Sequence, residues 1–108
     1  MKSSNLVTIS RHTLLDSTQH FDLFLDTGQD NLITYEILTP SLNLPKYDVL
    51  ECVRKQDHRR IYLEYQGEIS NQRGFISIVW KGEYKNKKSI GNTKIGILIL
   101  EELLYILD

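Results

Sequence analysis

The stretch "QHFDLFLD", residues 19–26, places Phe21, Leu23 and Leu25 on one parity and His20, Asp22 and Phe24 on the other. A β-strand points alternate side chains to opposite faces. The stretch therefore reads as a strand with one apolar face turned inward. A histidine and a carboxylate then stand side by side on the outward face.

The neighbouring segments extend this into a sheet. "NLVTIS" (5–10) predicts a strand before it, followed by a polar turn around "LDST". "TGQDN" (27–31) has the composition of a hairpin connection, and "LITYEIL" (32–38) is rich in β-branched and aromatic residues. "TPSLNLPKYD" (39–48) holds both prolines and predicts a loop. "RRIYLEY" (59–65) and "GFISIVWKG" (74–82) predict further strands, separated by "QGEISNQR", with Gly67 and Gly74 serving turns. In the tail, Ile95, Ile97 and Ile99 favour a strand by parity, whereas "EELLYIL" also suits a helical turn or two. Short strands with Gly and Asn punctuation imply a mainly β fold, a small closed or partly open antiparallel β-barrel forming one domain over residues 1–108. Trp80 is expected in core or barrel-end packing, and Tyr35, Tyr65 and Tyr84 in strands. Lys85, Lys87 and Lys88 suit a solvated hairpin or a grip on a nucleic-acid backbone.

The 108 residues suit a single core, and 41% hydrophobic with 25% charged residues is ordinary for a globular domain. Cys52 is the single cysteine, which excludes an internal disulfide and a thiolate zinc cage. It has no spare histidine to activate it, so no catalytic role is expected for it. "MKSSNLVTIS" lacks the apolar run of a signal peptide, and no segment approaches a membrane span. A cytoplasmic monomer without membrane association is expected. A net charge of −1 argues against an indiscriminate nucleic-acid binder. Charge is nevertheless divided: Lys46 to Lys94 holds eleven Lys/Arg against six Asp/Glu, and the remainder two against eight. Such a chain can present one positive face to phosphate, although chance clustering of surface charge gives the same count.

Three histidines, His12, His20 and His58, carry the candidate chemistry. If the first two strands pair as an antiparallel hairpin, His12, His20 and Asp22 converge. Two imidazoles and a carboxylate with open positions suit a divalent metal. An H-x-D triplet is also common by chance, and a solvated polar face is the simpler reading of it alone. In "RKQDHRRIYLEYQG" (54–67), His58 lies between Asp57 and Arg59, with Arg60 next and Tyr62 four positions on. Guanidinium groups match phosphate oxygens, and a histidine beside them can ligate metal, bond a phosphoryl oxygen or protonate a leaving group. A charged loop entering a strand has the same composition.

Taken in order, "RHTLLDSTQHFDLFLD", "DHRRIYLEYQGEIS" and "RGFISIVWKGEY" resemble the 3′-phosphoesterase module of bacterial DNA ligase D, above all its small stand-alone relatives. That family shows a histidine, a short spacer, H-[YW]-D within a strand, then D-H-x-x-x-Y, and a downstream E-G followed by a V-x-W strand. The similarity runs over residues 6–84, and all three histidines fall on family histidine positions. The resemblance implies a compact barrel holding one divalent metal, usually Mn2+, with Zn2+ or Co2+ as other candidates. It implies action in DNA repair on a DNA or RNA–DNA 3′ end, removing a 3′-phosphate or a terminal ribonucleotide, with a separate ligase or repair protein as a possible partner. By position, His12, His20 and Asp22 would ligate the metal, His58 would contact or protonate the scissile phosphate, and Tyr62 would bond a phosphate oxygen.

The chain also departs from the family pattern. Phe24 stands where an arginine commonly touches phosphate. Thr39, Leu50 and Gln56 replace a lysine, an arginine and an acidic residue. Arg59, Arg60, Arg54, Lys55 and Arg11 are the candidate replacements for binding phosphate or nucleic acid. His12 precedes His20 by eight residues, a wider gap than the family's, so the turn "TLLDST" must absorb the excess. A barrel that binds nucleic acid or a protein without catalysis is the alternative expectation, and a phosphoesterase for small phosphorylated molecules is a third.

Overall fold

A computed structural model describes residues 5–39, 49–87, 95–100 and 102–107. Its strands are β1 (Leu6–Thr13), β2 (Gln19–Leu25), β3 (Asn31–Ile37), β4 (Leu50–Arg59), β5 (Gly67–Glu68), β6 (Phe75–Lys87), β7 (Gly96–Leu100) and β8 (Leu103–Leu107). Among the described residues one 3₁₀ turn, Arg60–Leu63, interrupts them. The sheet order β1-β2-β3-β4-β7-β8-β6 closes through a β1–β6 pairing into a seven-stranded barrel, with β5 attached outside β6. Every pair is antiparallel except β6–β8, which is parallel. Strand directions cannot alternate all the way round an odd-numbered ring, so closure requires one parallel pair. The expected barrel is thus closed but not wholly antiparallel. Among the described residues no helix is long and apolar enough to cross a membrane.

Alternation fills the barrel. Val7 and Ile9 from β1, Phe21, Leu23 and Leu25 from β2, and residues of the other five barrel strands form one buried cluster. Each large apolar side chain buried there contributes about 1.5–3 kcal/mol over an exposed one. Trp80 packs against this cluster, as do Tyr35 and Ile99. Cys52 lies within it, where burial, assisted by the charge of Glu51, pushes its thiol up to about 12. A thiol so held is no nucleophile.

The opposite face of β2 is not the solvated surface that parity suggested. Phe24 is fully buried in a second cluster with Leu32, Tyr62, Leu63 and Ile76, outside the barrel wall. The cover is the segment "RRIYLEY", expected as a strand and found largely as the 3₁₀ turn. Tyr62 and Leu63 are consecutive and both buried, which a strand over one surface does not allow and a tight helical turn does. Two contacts hold the turn down. Thr8 donates its hydroxyl to the Leu63 carbonyl (2.6 Å), and Arg60 grips the buried Asp26 carboxylate through both terminal nitrogens (2.8 and 2.6 Å).

Strand β4 escaped the sequence reading because most of its residues are exposed and polar; the ladder to β3 defines it. Both halves of the tail are strands. In "LLYIL", Leu104 and Ile106 alternate inward, which excludes the helical alternative. Lys85 and Lys87 lie on β6 rather than in a hairpin, whereas Lys88 and residues 40–48 of the loop expected over 39–48 lie outside the described residues.

Candidate metal centre and adjoining cleft

The β1–β2 ladder sets His12 directly across from His20, and Ser10 across from Asp22. His12, His20 and Asp22 therefore share one face at the outer end of the hairpin. The long connection is absorbed by a local turn. The Leu14 amide donates to the Thr18 carbonyl and the Ser17 amide to the Leu14 carbonyl, with Ser17 in the left-handed region (φ 72°). With this turn closed, His12 and His20 remain a direct cross-strand pair.

The three side chains converge. His12 Nδ1 lies 3.2 Å from His20 Nε2, His20 Nε2 3.3 Å from one Asp22 oxygen, and His12 Nδ1 3.9 Å from the other. Donors bonded to a divalent ion at about 2.0–2.2 Å lie about 2.8–3.6 Å apart in octahedral or tetrahedral geometry, so the triangle fits a metal once its 3.9 Å edge closes slightly. His12 Nε2 donates to the Arg73 carbonyl at 2.7 Å, which leaves Nδ1 with its lone pair aimed at the cluster. Metal-ligating histidines are commonly held in this way. Ser10, whose buried hydroxyl has no hydrogen-bond partner among the described residues, adds a further polar atom beneath the triangle. The donor set suits Mn2+, Zn2+ or Co2+ and does not choose among them.

Without metal the cluster is a proton site. The hydrogen bond to Asp22 raises the His20 pKa above 6.5, with the Asp22 charge adding to it and burial opposing it. A raised folded-state value contributes stability that is complete below pH 6.5 and lost as pH rises through the folded pKa. The chelated protein is therefore expected to melt at a lower temperature at pH 8 than at pH 6, with Asp22→Asn flattening the difference. Metal affinity should run the opposite way, weakening up to about tenfold per pH unit below the His20 pKa, because ion and proton compete for one nitrogen.

Next to the triangle lies a narrow cleft of about 60 Å3 bordered by His12, Asp22, Phe24, His58, Tyr62 and Arg73. It adjoins a wider cavity of about 290 Å3 that shares His58, Tyr62 and Arg73 and adds Arg59. Phe24 is the floor. Its ring stacks on Tyr62 (5.8 Å between centroids) and meets His58 (5.3 Å). His58 Nδ1 donates to the Gln56 carbonyl at 2.9 Å, which leaves Nε2 for chemistry.

The candidate cations divide. Arg59 borders the wider cavity, with its guanidinium 5.9 Å over Tyr62. Arg60 is committed to Asp26 and the Gln29 carbonyl. Arg54 pairs with Asp57, and Lys55 with Glu36 at 3.5 Å. Arg11 lies over Phe21, on the face of β1 opposite His12. None of these four borders either opening. Arg73 does, and the sequence reading gave it no role although it begins the quoted "RGFISIVWKGEY". The available signal was a lone arginine before a turn glycine.

Gly74 fixes that loop. It has φ +89°, and a Cβ there would lie 1.9 Å from the Thr13 carbonyl oxygen. Gly74→Ala is expected to push the loop off the end of β1, detach the Arg73 carbonyl from His12, and weaken metal binding about tenfold in calorimetric titration.

The chain matches no protein-family model and no curated protein sequence.

Proposed function

We propose that this barrel is a metal-dependent phosphoesterase that processes the 3′ end of nucleic acid. The observation that carries the reading is the convergence of His12, His20 and Asp22 on one point beside a cleft that also holds His58 and Tyr62. These are the five residues that the resemblance to the ligase D phosphoesterase module assigns to metal and phosphate, brought together from β1, β2, β4 and the 3₁₀ turn.

The geometry supports the following roles. A divalent ion, when bound, supplies positive charge that offsets charge developing on a phosphoryl oxygen. His12 and His20 present neutral nitrogens for it, and Asp22 a carboxylate. His58 borders the cleft and, with Nδ1 fixed on the Gln56 carbonyl, keeps Nε2 to hold or accept a proton. Tyr62 stands beside it with its ring held against Phe24. The apolar floor of Phe24 and Ile76 keeps water from below the site and strengthens each electrostatic contact above it. Arg59 borders the wider cavity, where it would meet the chain of a longer substrate.

The test is release of phosphate, or of a terminal ribonucleotide, from a 3′-modified primer–template by the purified protein with Mn2+, Zn2+ or Co2+. Turnover is expected with at least one metal and none with chelator. Tight binding of such duplexes without turnover favours the second reading, a barrel that binds nucleic acid without catalysis, which Phe24, Leu50 and Thr39, standing where the resemblance expects cations, motivate. A nucleotide 3′-phosphate hydrolysed as well as the oligonucleotide would make the substrate a small molecule.

A further inference from the structure

We infer that Arg73 is the anion-binding residue of the cleft, its side chain gripping a phosphate oxygen while its backbone orients His12. The inference deepens the phosphoesterase reading and rests on it for the identity of the ester.

The Ile69–Gly74 loop is built to bring Arg73 there. Asn71 and Gln72 take left-handed conformations (φ 63° and 57°), Gly74 follows at 89°, and the Ile69 amide closes the loop on the Gly74 carbonyl at 2.8 Å. Non-glycine residues adopt such angles at a cost, and two in succession mark a loop held by its surroundings. The fold-back places the Arg73 carbonyl on His12 and sets Arg73 on the rim of both openings.

The side chain is oriented without being neutralised. Nε donates to the Ser70 carbonyl (2.8 Å) and one terminal nitrogen to the Ser70 hydroxyl (3.3 Å). Both acceptors are uncharged. A guanidinium has five N–H donors, so most of its terminal donors stay uncommitted. Among the described residues no carboxylate pairs with Arg73, in contrast to Arg54, Lys55, Arg60 and Lys81, each of which has an acidic partner. The charge of Arg73 is thus left for a ligand, and the planar fork suits a phosphate monoester or diester. The same residue joins the cleft beside His12 and Asp22 to the cavity beside Arg59, so an anion passing from one to the other meets it.

Because the side chain and the carbonyl do separate work, they can be tested separately. Arg73→Ala and Arg73→Lys keep the carbonyl, so both are expected to bind Mn2+ within about twofold of wild type. Inorganic phosphate, titrated calorimetrically into chelated and Mn2+-loaded protein, is expected to bind Arg73→Ala about tenfold or more weakly, with Arg73→Lys between. In turnover, KM for the 3′-phosphorylated primer should rise accordingly. Phosphate affinity unchanged in Arg73→Ala, or no phosphate binding by wild type in either state, overturns the inference. Weakened metal binding with unchanged phosphate affinity also overturns it, leaving only the positioning of His12. If phosphate binds through Arg73 and no ester is cleaved, the phosphoesterase reading fails and the Arg73 assignment stands.

Discussion

Asp22→Ala is expected to remove divalent-metal binding and, with it, turnover. Asp22 is 7% exposed and the only carboxylate in the triangle, lying 3.3 Å and 3.9 Å from its two imidazole partners. Two neutral imidazoles alone leave both charges of a divalent ion uncompensated by these ligands, and one bond fewer. The loss of affinity should be at least about a hundredfold, more than loss of an outer hydrogen bond brings. Charge stabilisation by a metal amounts to several kcal/mol, so hydrolysis should fall about 10³-fold or more. Thermal melting separates loss of the site from loss of the fold. Wild type should gain stability with added Mn2+ according to its affinity, and Asp22→Ala should not respond while still melting cooperatively. His20→Ala should behave likewise. A variant that keeps the metal-induced shift would show that the ion, if any, lies elsewhere, and the proposed function would lose its support.

How much of this was legible in the sequence follows from what alternation can and cannot encode. Period-two patterning placed β1, β2, β3 and most of β6, because each buries one parity inside the barrel. It also put His20 and Asp22 on one face. It could not say what lay over that face, since the cover is non-local: Tyr62 and Leu63 come from some forty residues downstream, and their burial as neighbours carries no strand period. Strand β4 was invisible for a related reason. Its ladder to β3 is made by backbone groups, which any sequence supplies, while its side chains are largely wet. Among the cations, sequence offered candidates and no directions. Arg59 and Arg60 are adjacent, yet one reaches over Tyr62 and the other turns back to Asp26. Arg73 could be recognised only after the loop had folded its carbonyl onto a histidine sixty-one positions away.

Phe24→Arg should unfold the protein rather than add a phosphate contact to the cleft. The position lies two residues beyond Asp22 on the same face of β2, so side-chain direction alone would make arginine there a natural phosphate contact. The surroundings forbid it. Phe24 is 0% exposed and enclosed by Leu32, Tyr62, Leu63 and Ile76, with His58 tilted against its ring. An unpaired guanidinium in that setting costs several kcal/mol, against a total stability of about 5–15 kcal/mol for a typical domain. Phe24→Ala, which removes the ring and leaves a cavity, should cost about 3–5 kcal/mol, and Phe24→Leu considerably less. Urea unfolding gives these values directly, the midpoint falling in the order Leu, Ala, Arg. Phe24→Leu adds a second readout, because it keeps the cluster apolar while withdrawing the surface on which Tyr62 and His58 rest. Its turnover should fall by more than its stability accounts for, with Mn2+ affinity unchanged, since neither residue ligates the ion. If Phe24→Arg instead folds with wild-type stability and turns over faster, the 3₁₀ turn does not seal this face, and the ring is a replaceable wall of an open groove rather than the floor on which the cleft is built.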